Sequence, residues 1–414
     1  MGRREGAAVN GPSGLGSRLS RLRELFPGLV VLFALAHLSH HLVTALPVPL
    51  LPFIRDEFGL DYTRAALVVS AFSIPYGLAQ LPAGWLADRF GARRLILLGI
   101  SGVSVAGLAV GLSTQYVAML VALGVMGALG GGYHPAAPPL ISAVTEPSRR
   151  GRALGVHMIG GSASYFLAPL VAAALAAVWG WRMPFVALAI PSIIYGVVFF
   201  VILGRRERSA AAQATVSKAT VVRSGGRVDW LSMGAFLVLT GISAATVLSA
   251  VSFIPLYLVD VFGYSEPAAA LPVALFYSTG LWAAVTGGWL SDRIGSVRVV
   301  GGFAVLSAPV VAVLSLVGSD VGVVALLLLL GIGMYARAPA SEAYIVGRTL
   351  AGQRSTVLGL YYFGSMEGSG VLAPIFGYLI DRFGFPVAFG AGGLVLLVVA
   401  VACVLVLWRG GAGN

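Results

Sequence analysis

The stretch GWLADRFGARR, residues 84–94, returns as GWLSDRIGSVR at residues 288–298, 204 positions later. The same offset pairs Asp56 with Asp260, Phe58 with Phe262 and Gly59 with Gly263. It also pairs Pro135 with Pro339, Arg150 with Arg354, Gly155 with Gly359 and Gly180 with Gly384. APL at 168–170 meets API at 373–375 with a slip of one residue. One echo could arise by chance; a register held from end to end is the mark of duplication. The chain therefore reads as two halves, 28–204 and 229–408. A polar, basic segment, 205–228, joins them, and tails 1–27 and 409–414 flank them.

Composition identifies the medium. The 414 residues are 58% hydrophobic and only 10% charged, with a mean hydropathy of +0.92. A soluble surface of this size needs far more charge. Apolar runs such as Leu29–Val48, Ala65–Leu86 and Val387–Leu407 approach the ~20 residues that cross ~30 Å of hydrocarbon as helix. Breaking the chain at charged and turn-rich points predicts twelve spans. They lie near 28–54, 65–87, 95–113, 116–145, 153–178, 183–204, 229–259, 267–291, 298–317, 321–346, 355–380 and 386–408. Helices satisfy their backbone polar groups internally, so the expected fold is an all-α polytopic membrane protein in two pseudo-symmetric six-helix bundles. The 55 glycines and 21 prolines suit membrane helices, which tolerate both and use glycine for close packing. A lone Cys403 rules out an intrachain disulfide.

A net charge of +11 raises the question of nucleic acid, and the charge distribution answers it. With the N-terminus in the cytoplasm, 22 of the 27 Lys and Arg fall on the cytoplasmic side. Four (Arg55, Arg64, Arg182 and Arg382) fall outside, and Arg337 lies within a span. That bias is a topology signal. It places both termini in the cytoplasm of a bacterial-type inner membrane, with the lipid bilayer and no nucleic acid as partner. A monomer is expected.

The repeated motif has a physical reading of its own. Gly84 and Gly288 would let helices approach, and Gly91 and Gly295 let the chain reverse in a short loop. Asp88 and Asp292 stand at helix ends beside Arg89, Arg93, Arg94, Arg293 and Arg298, with Arg150 and Arg354 as further partners. Such a cluster can hold the cytoplasmic face shut in one state and release it in another.

Twin copies of this motif after the second and eighth spans, with a long central loop, resemble the major facilitator superfamily. The resemblance covers the whole chain. It implies alternating access to a solute site between the halves, lined by the first, fourth, seventh and tenth helices. YHP (133–135), RRGRALG (149–155) and LAPLVAA (167–173) further resemble the fosmidomycin-resistance and drug:proton antiport branch. On that basis a proton-coupled secondary transporter is expected, with export slightly favoured. The alternative is proton-coupled uptake or exchange of a small organic anion such as a carboxylate. No phosphate-binding loop, nucleophile elbow or metal motif emerges. Neither enzyme activity nor a cofactor is expected, and a proton gradient would supply the energy.

Mid-membrane ionisable residues carry the functional expectation, because a charge there normally faces a cavity or a partner. Arg337 lies ~15 Å deep at 1.5 Å per residue, and Glu367 in the next span lies at a similar depth. They could pair with each other, or Arg337 could meet an anionic substrate group through its planar fork. His37, His40 and His41 in the first span and His134 in the fourth could converge with Arg337, flanked by Tyr133 and Tyr277. Either the histidines or Glu367 could carry a coupling proton, and depth favours Glu367. His37 and His41 have i, i+4 ligand spacing, yet no Cys or HExxH carboxylate accompanies them, so the sequence predicts no metal site.

Overall fold

Six glycines adopt φ between +59° and +90°, and they form three pairs 204 residues apart: Gly59 with Gly263, Gly91 with Gly295, and Gly180 with Gly384. Among the described residues no side-chain-bearing residue takes a positive φ, a region that costs an L-residue ~1–2 kcal/mol. The duplication is thus written into the backbone: the chain leaves a helix by the same glycine turn at equivalent places in both halves.

The computed structural model describes residues 28–143, 145, 146, 149–211, 228–350 and 354–409, all helical or in short connections. The tails and most of the 205–228 joining segment lie outside the described residues. The N-terminal bundle comprises α1 (Gly28–Thr44), α2 (Leu51–Phe58), α3 (Tyr62–Phe90), α4 (Ala92–Leu97), α5 (Val103–Leu112), α6 (Tyr116–Gly130), α7 (Tyr133–Ala143), α8 (Arg150–Trp179) and α9 (Arg182–Ala211). The C-terminal bundle comprises α10 (Trp230–Ser252), α11 (Ile254–Phe262), α12 (Ala270–Ser278), α13 (Ala283–Ile294), α14 (Ser296–Val313), α15 (Asp320–Arg348), α16 (Arg354–Glu367) and α17 (Ser369–Arg409).

Twelve spans result because several are broken. The first is α1 plus α2, interrupted around Pro47 and Pro49. A π-helical turn, Leu98–Gly102, joins α4 to α5, and α12 meets α13 at a 46° bend. In the opposite sense, α17 carries the end of the span begun in α16 and the whole of the next, folding apart at Gly384. Boundaries move by a few residues from expectation. For example, α3 starts at Tyr62 because the Asp61 side chain caps it, accepting from the Arg64 backbone N–H.

Close helix contact falls elsewhere than the motif glycines suggested. A Cβ on Gly84 would meet nothing within 4 Å, and on Gly288 only Pro339 at 4.0 Å. Tight crossings include Gly127, where a Cβ would sit 2.2 Å from the Phe72 carbonyl oxygen, and Gly331, 2.6 Å from that of Phe276. These two crossings are again 204 residues apart, and they pin α6 to α3 and α15 to α12. Large apolar side chains cover the outside, and six of the seven tryptophans, Trp85, Trp179, Trp230, Trp282, Trp289 and Trp408, are exposed. That pattern suits a lipid-facing surface with aromatic residues at its edges.

The buried core is shared unequally. On the face opposite the repeated motif, one apolar cluster runs through both bundles, from Leu50, Leu51 and Ile54 to Phe253, Tyr257 and Phe385. Toward the motif face the core divides. Phe33, Leu95, Tyr133 and Phe199 belong to one bundle, and Phe236, Val300, Tyr344 and Leu407 to the other. The halves are fused at the far face and separate toward the motif face.

Candidate functional site

Three groups of polar residues sit where the two bundles meet or are buried within one of them. The first fills the N-terminal bundle. His37, His40 and His41 on α1, Tyr133 and His134 opening α7, and His157 on α8 form one stack of rings. His40 Nδ1 lies 2.5 Å from the Gly99 carbonyl, and its Nε2 lies 3.0 Å from the Tyr76 hydroxyl. His41 Nε2 and His134 Nε2 are 3.2 Å apart. The stack reaches the other bundle: the His41 ring is 4.5 Å from Tyr165, which stacks on Tyr277 of α12 at 5.1 Å. The predicted histidines and Tyr277 therefore do share one site, through Tyr165 of α8, which periodicity alone did not single out.

The second group holds Arg337 and Glu367, and it corrects one expectation. No ion pair joins them among the described residues. Arg337 is 5% exposed and donates from Nη1 to the Thr240 carbonyl of α10, 3.1 Å away. It lies in the electrostatic reach of Tyr361 on α16. Glu367, 8% exposed, ends α16 and packs across the interface against Gly77 of α3, within electrostatic reach of Ser73. Gly77 admits it: a Cβ there would sit 2.8 Å from the Glu367 Cβ and Cγ. Helix rotation explains the miss, since equal depth on neighbouring spans does not place two side chains on facing surfaces. Arg337 accordingly has no carboxylate within ion-pair distance among the described residues. Glu342 is held instead by the Tyr362 hydroxyl, 3.0 Å away.

The third group closes the far face, and the sequence had not picked it out as a gate. Arg55 donates from Nε to Asp56 at 2.6 Å and from Nη1 to Asp260, so one guanidinium bridges the two acids that the repeat makes equivalent. The Tyr62 hydroxyl donates to Asp260 at 2.6 Å. The Tyr62 and Thr63 backbone N–H groups donate to Asp381, each at 2.9 Å. Ser70 donates to the Gly370 carbonyl at 2.6 Å. Burial first, then the neighbouring Asp56 carboxylate, pushes the Glu266 carboxyl above the usual range. Nearby, the Arg182 guanidinium holds the Glu57 carboxyl below it.

On the motif face the expected gating residues mostly stay within their own bundle. Arg94 donates to the Phe90 carbonyl and Arg298 to that of Ile294, each at 3.2 Å, capping their preceding helices in the same way in both halves. Arg89 lies over Trp85 at 5.4 Å, and Arg293 over Trp289 at 4.0 Å. Arg93 lies over the Phe200 ring at 4.3 Å, and Arg150 donates to the Ser142 carbonyl at 3.0 Å. Asp292 is exposed. Gly91 and Gly295 make the sharp reversals expected of them. The side chains of Asp88 and Arg354 lie outside the described ones.

Comparisons with known proteins agree with this architecture. The family model described as Major Facilitator Superfamily matches residues 33–277 and 249–413. The "Probable sulfoacetate transporter SauU" of Cupriavidus necator is 25% identical over 390 residues, covering 86% of this chain and 87% of the relative. The fosmidomycin resistance protein of Escherichia coli is 23% identical over 382 residues, covering 89% and 90%. Among solved structures, a bacterial homolog of the human lysosomal transporter Spinster, inward-facing and occupied, superposes with a TM-score of 0.71 at 19% identity. That match covers 94% of this chain and 97% of the other.

Proposed function

The chain belongs to the major facilitator superfamily, and from that premise we propose that it carries a small organic anion across the membrane by alternating access, coupled to protons. One observation carries the choice of substrate: Arg337 is buried at mid-span and, among the described residues, no carboxylate neutralises it. A buried guanidinium is costly unless something satisfies it, and a carboxylate, sulfonate or phosphonate matches its fork. Similarity to a transporter named for sulfoacetate supports the same class. The sequence had slightly favoured export; the unpaired arginine is what tips the reading toward an anion.

Glu367 is the proposed coupling acid. It sits at the bundle interface, packed against Gly77 of the opposite half, and carrying a charge there is costly. Its protonation is therefore tied to whichever face admits water. With the far face bridged through Arg55, Asp260 and Asp381, the conformation reads as open toward the motif face. Reversal would break those bonds and bring the motif acids and arginines together. Drug export is the second reading, favoured by the relative named for fosmidomycin resistance.

The test is transport in proteoliposomes, with radiolabelled sulfoacetate and a panel of sugar acids, under pH gradients of either sign. Accumulation of an anion that follows one sign of the gradient is expected. Indifference to every organic anion, with extrusion of neutral or cationic drugs, would replace this reading by the second.

A further inference from the structure

All five histidines of the chain gather in the N-terminal bundle, and three of them present ring nitrogens to one point. His37 and His41 come from successive turns of α1, and His134 comes from the start of α7. One candidate ligand atom from each lies within 4.8 Å of the other two, and the Nε2 atoms of His41 and His134 are 3.2 Å apart. Two nitrogens bound to one tetrahedral zinc at ~2.0–2.1 Å stand about 3.3 Å from each other. That edge is already at coordination spacing.

Ring orientation is the second, independent observation. His37 Nδ1 lies 2.9 Å from the His157 carbonyl oxygen. A carbonyl can only accept, so the His37 proton is assigned to Nδ1 and a bare lone pair remains on Nε2. That Nε2 is buried and, among the described residues, has no hydrogen-bond partner. His41 Nδ1 likewise rests on the Thr44 hydroxyl at 3.1 Å, leaving Nε2 turned toward His134. Histidines that ligate metals are held in this way, one nitrogen anchored to a neighbour and the other aimed at the ion. Gly161 makes the room: a Cβ there would sit 2.5 Å from the His37 ring.

We propose that His37, His41 and His134 form a binding site for a divalent first-row transition metal ion, of which zinc is the natural occupant. Three imidazoles with no carboxylate among them suit zinc, nickel or copper and not magnesium or calcium. A fourth position remains for water or an anionic oxygen. The ion clamps α1 to α7 within one bundle, so it stiffens that half without tying it to the other. The site shares no residue with the Arg337 and Glu367 group, and its existence does not depend on which solute is carried.

The test uses the full-length protein in detergent, freed of any affinity tag and titrated with Co²⁺ in place of zinc. One equivalent per chain should bind, with the strong visible absorption of a four-coordinate nitrogen-rich cobalt site, and zinc should bleach it. His41→Ala and His134→Ala should abolish the band and weaken binding at least ~100-fold. Thr44→Val keeps every ligand and removes only the anchor of His41, so it should weaken binding ~10-fold; it serves even if the ligand variants fail to fold. Wild-type protein that shows only the weak spectrum of hexahydrated cobalt overturns the site. So does a Thr44→Val protein that binds cobalt as tightly as wild type.

Discussion

The two bundles share a backbone and differ in what they bury. Glycine turns, the Gly127 and Gly331 crossings, and the Arg94 and Arg298 helix caps all occur twice, 204 residues apart. The mid-membrane polar residues do not. Tyr133 in the first bundle corresponds to Arg337 in the second, and His37, His40 and His41 correspond to Gly241, Ala244 and Ala245. One half therefore concentrates imidazoles and the other concentrates formal charge. Features kept in both copies are those that any six-helix bundle of this shape needs. Those found in one copy are where a solute, a proton or an ion can be told apart, so function is to be sought in the asymmetry.

That comparison can be broken at its charged end first. Arg337→Ala should lower kcat/KM for the transported anion about 10- to 100-fold, the range for removing a charge-assisted hydrogen bond. Arg337→Lys should recover only part of it, because an ammonium cannot offer the planar fork. Near-normal anion uptake by a folded Arg337→Ala protein would remove the reason for assigning charge recognition to the C-terminal bundle. Glu367→Gln should abolish accumulation driven by a pH gradient while leaving exchange of labelled for unlabelled solute within about threefold of wild type. Gradient-driven accumulation in that variant would move coupling back to the histidine half.

Smaller effects should appear at the far face. Asp260→Asn weakens the bridge from Arg55 and should shift the population toward the far-open state roughly 5- to 10-fold. Labelling of a cysteine placed beneath the bridge would report it; unchanged labelling would mean that the apolar cluster alone holds this face. The smallest effect is that of pH. Glu266 has a raised carboxyl pKa in the closed arrangement, so closure takes up a proton. It should strengthen as pH falls toward the ordinary carboxylate range and weaken as pH rises through the raised value. Glu266→Gln should flatten that dependence in the same labelling experiment. The Glu57–Arg182 pair, with its depressed carboxylate, should keep its contribution until pH falls below the usual range.

Legibility followed physical scale. The membrane medium, the twelve spans and the duplication depend on composition and on a period of 204 residues, and both survive any detail of packing. Arg337 and Glu367 were conspicuous for the same reason, since charge in an apolar run needs no structure to be noticed. Their pairing was not legible, because it depends on how far each helix is rotated about its axis. The Arg55 bridge was half visible: the repeat made Asp56 and Asp260 equivalent, but their meeting at one guanidinium is a contact between distant segments. The third histidine of the proposed metal site was in plain view at 134. Nothing in the spacing of α1 could bring it within reach.

The chain by itself determined that it lives in a bilayer, that it folds as two copies of one six-helix plan, and which residues are too polar for their depth. These follow from the hydrophobic effect and from helix length, which act locally and repeat wherever the sequence repeats. Only the tertiary structure decided the partners: Arg337 with a carbonyl of α10, Glu367 with α3 of the opposite bundle, three imidazoles at one point, and the far face shut. Those choices turn on ångström-scale rotations and close backbone approaches between elements some ninety residues apart or more, and no local pattern encodes them.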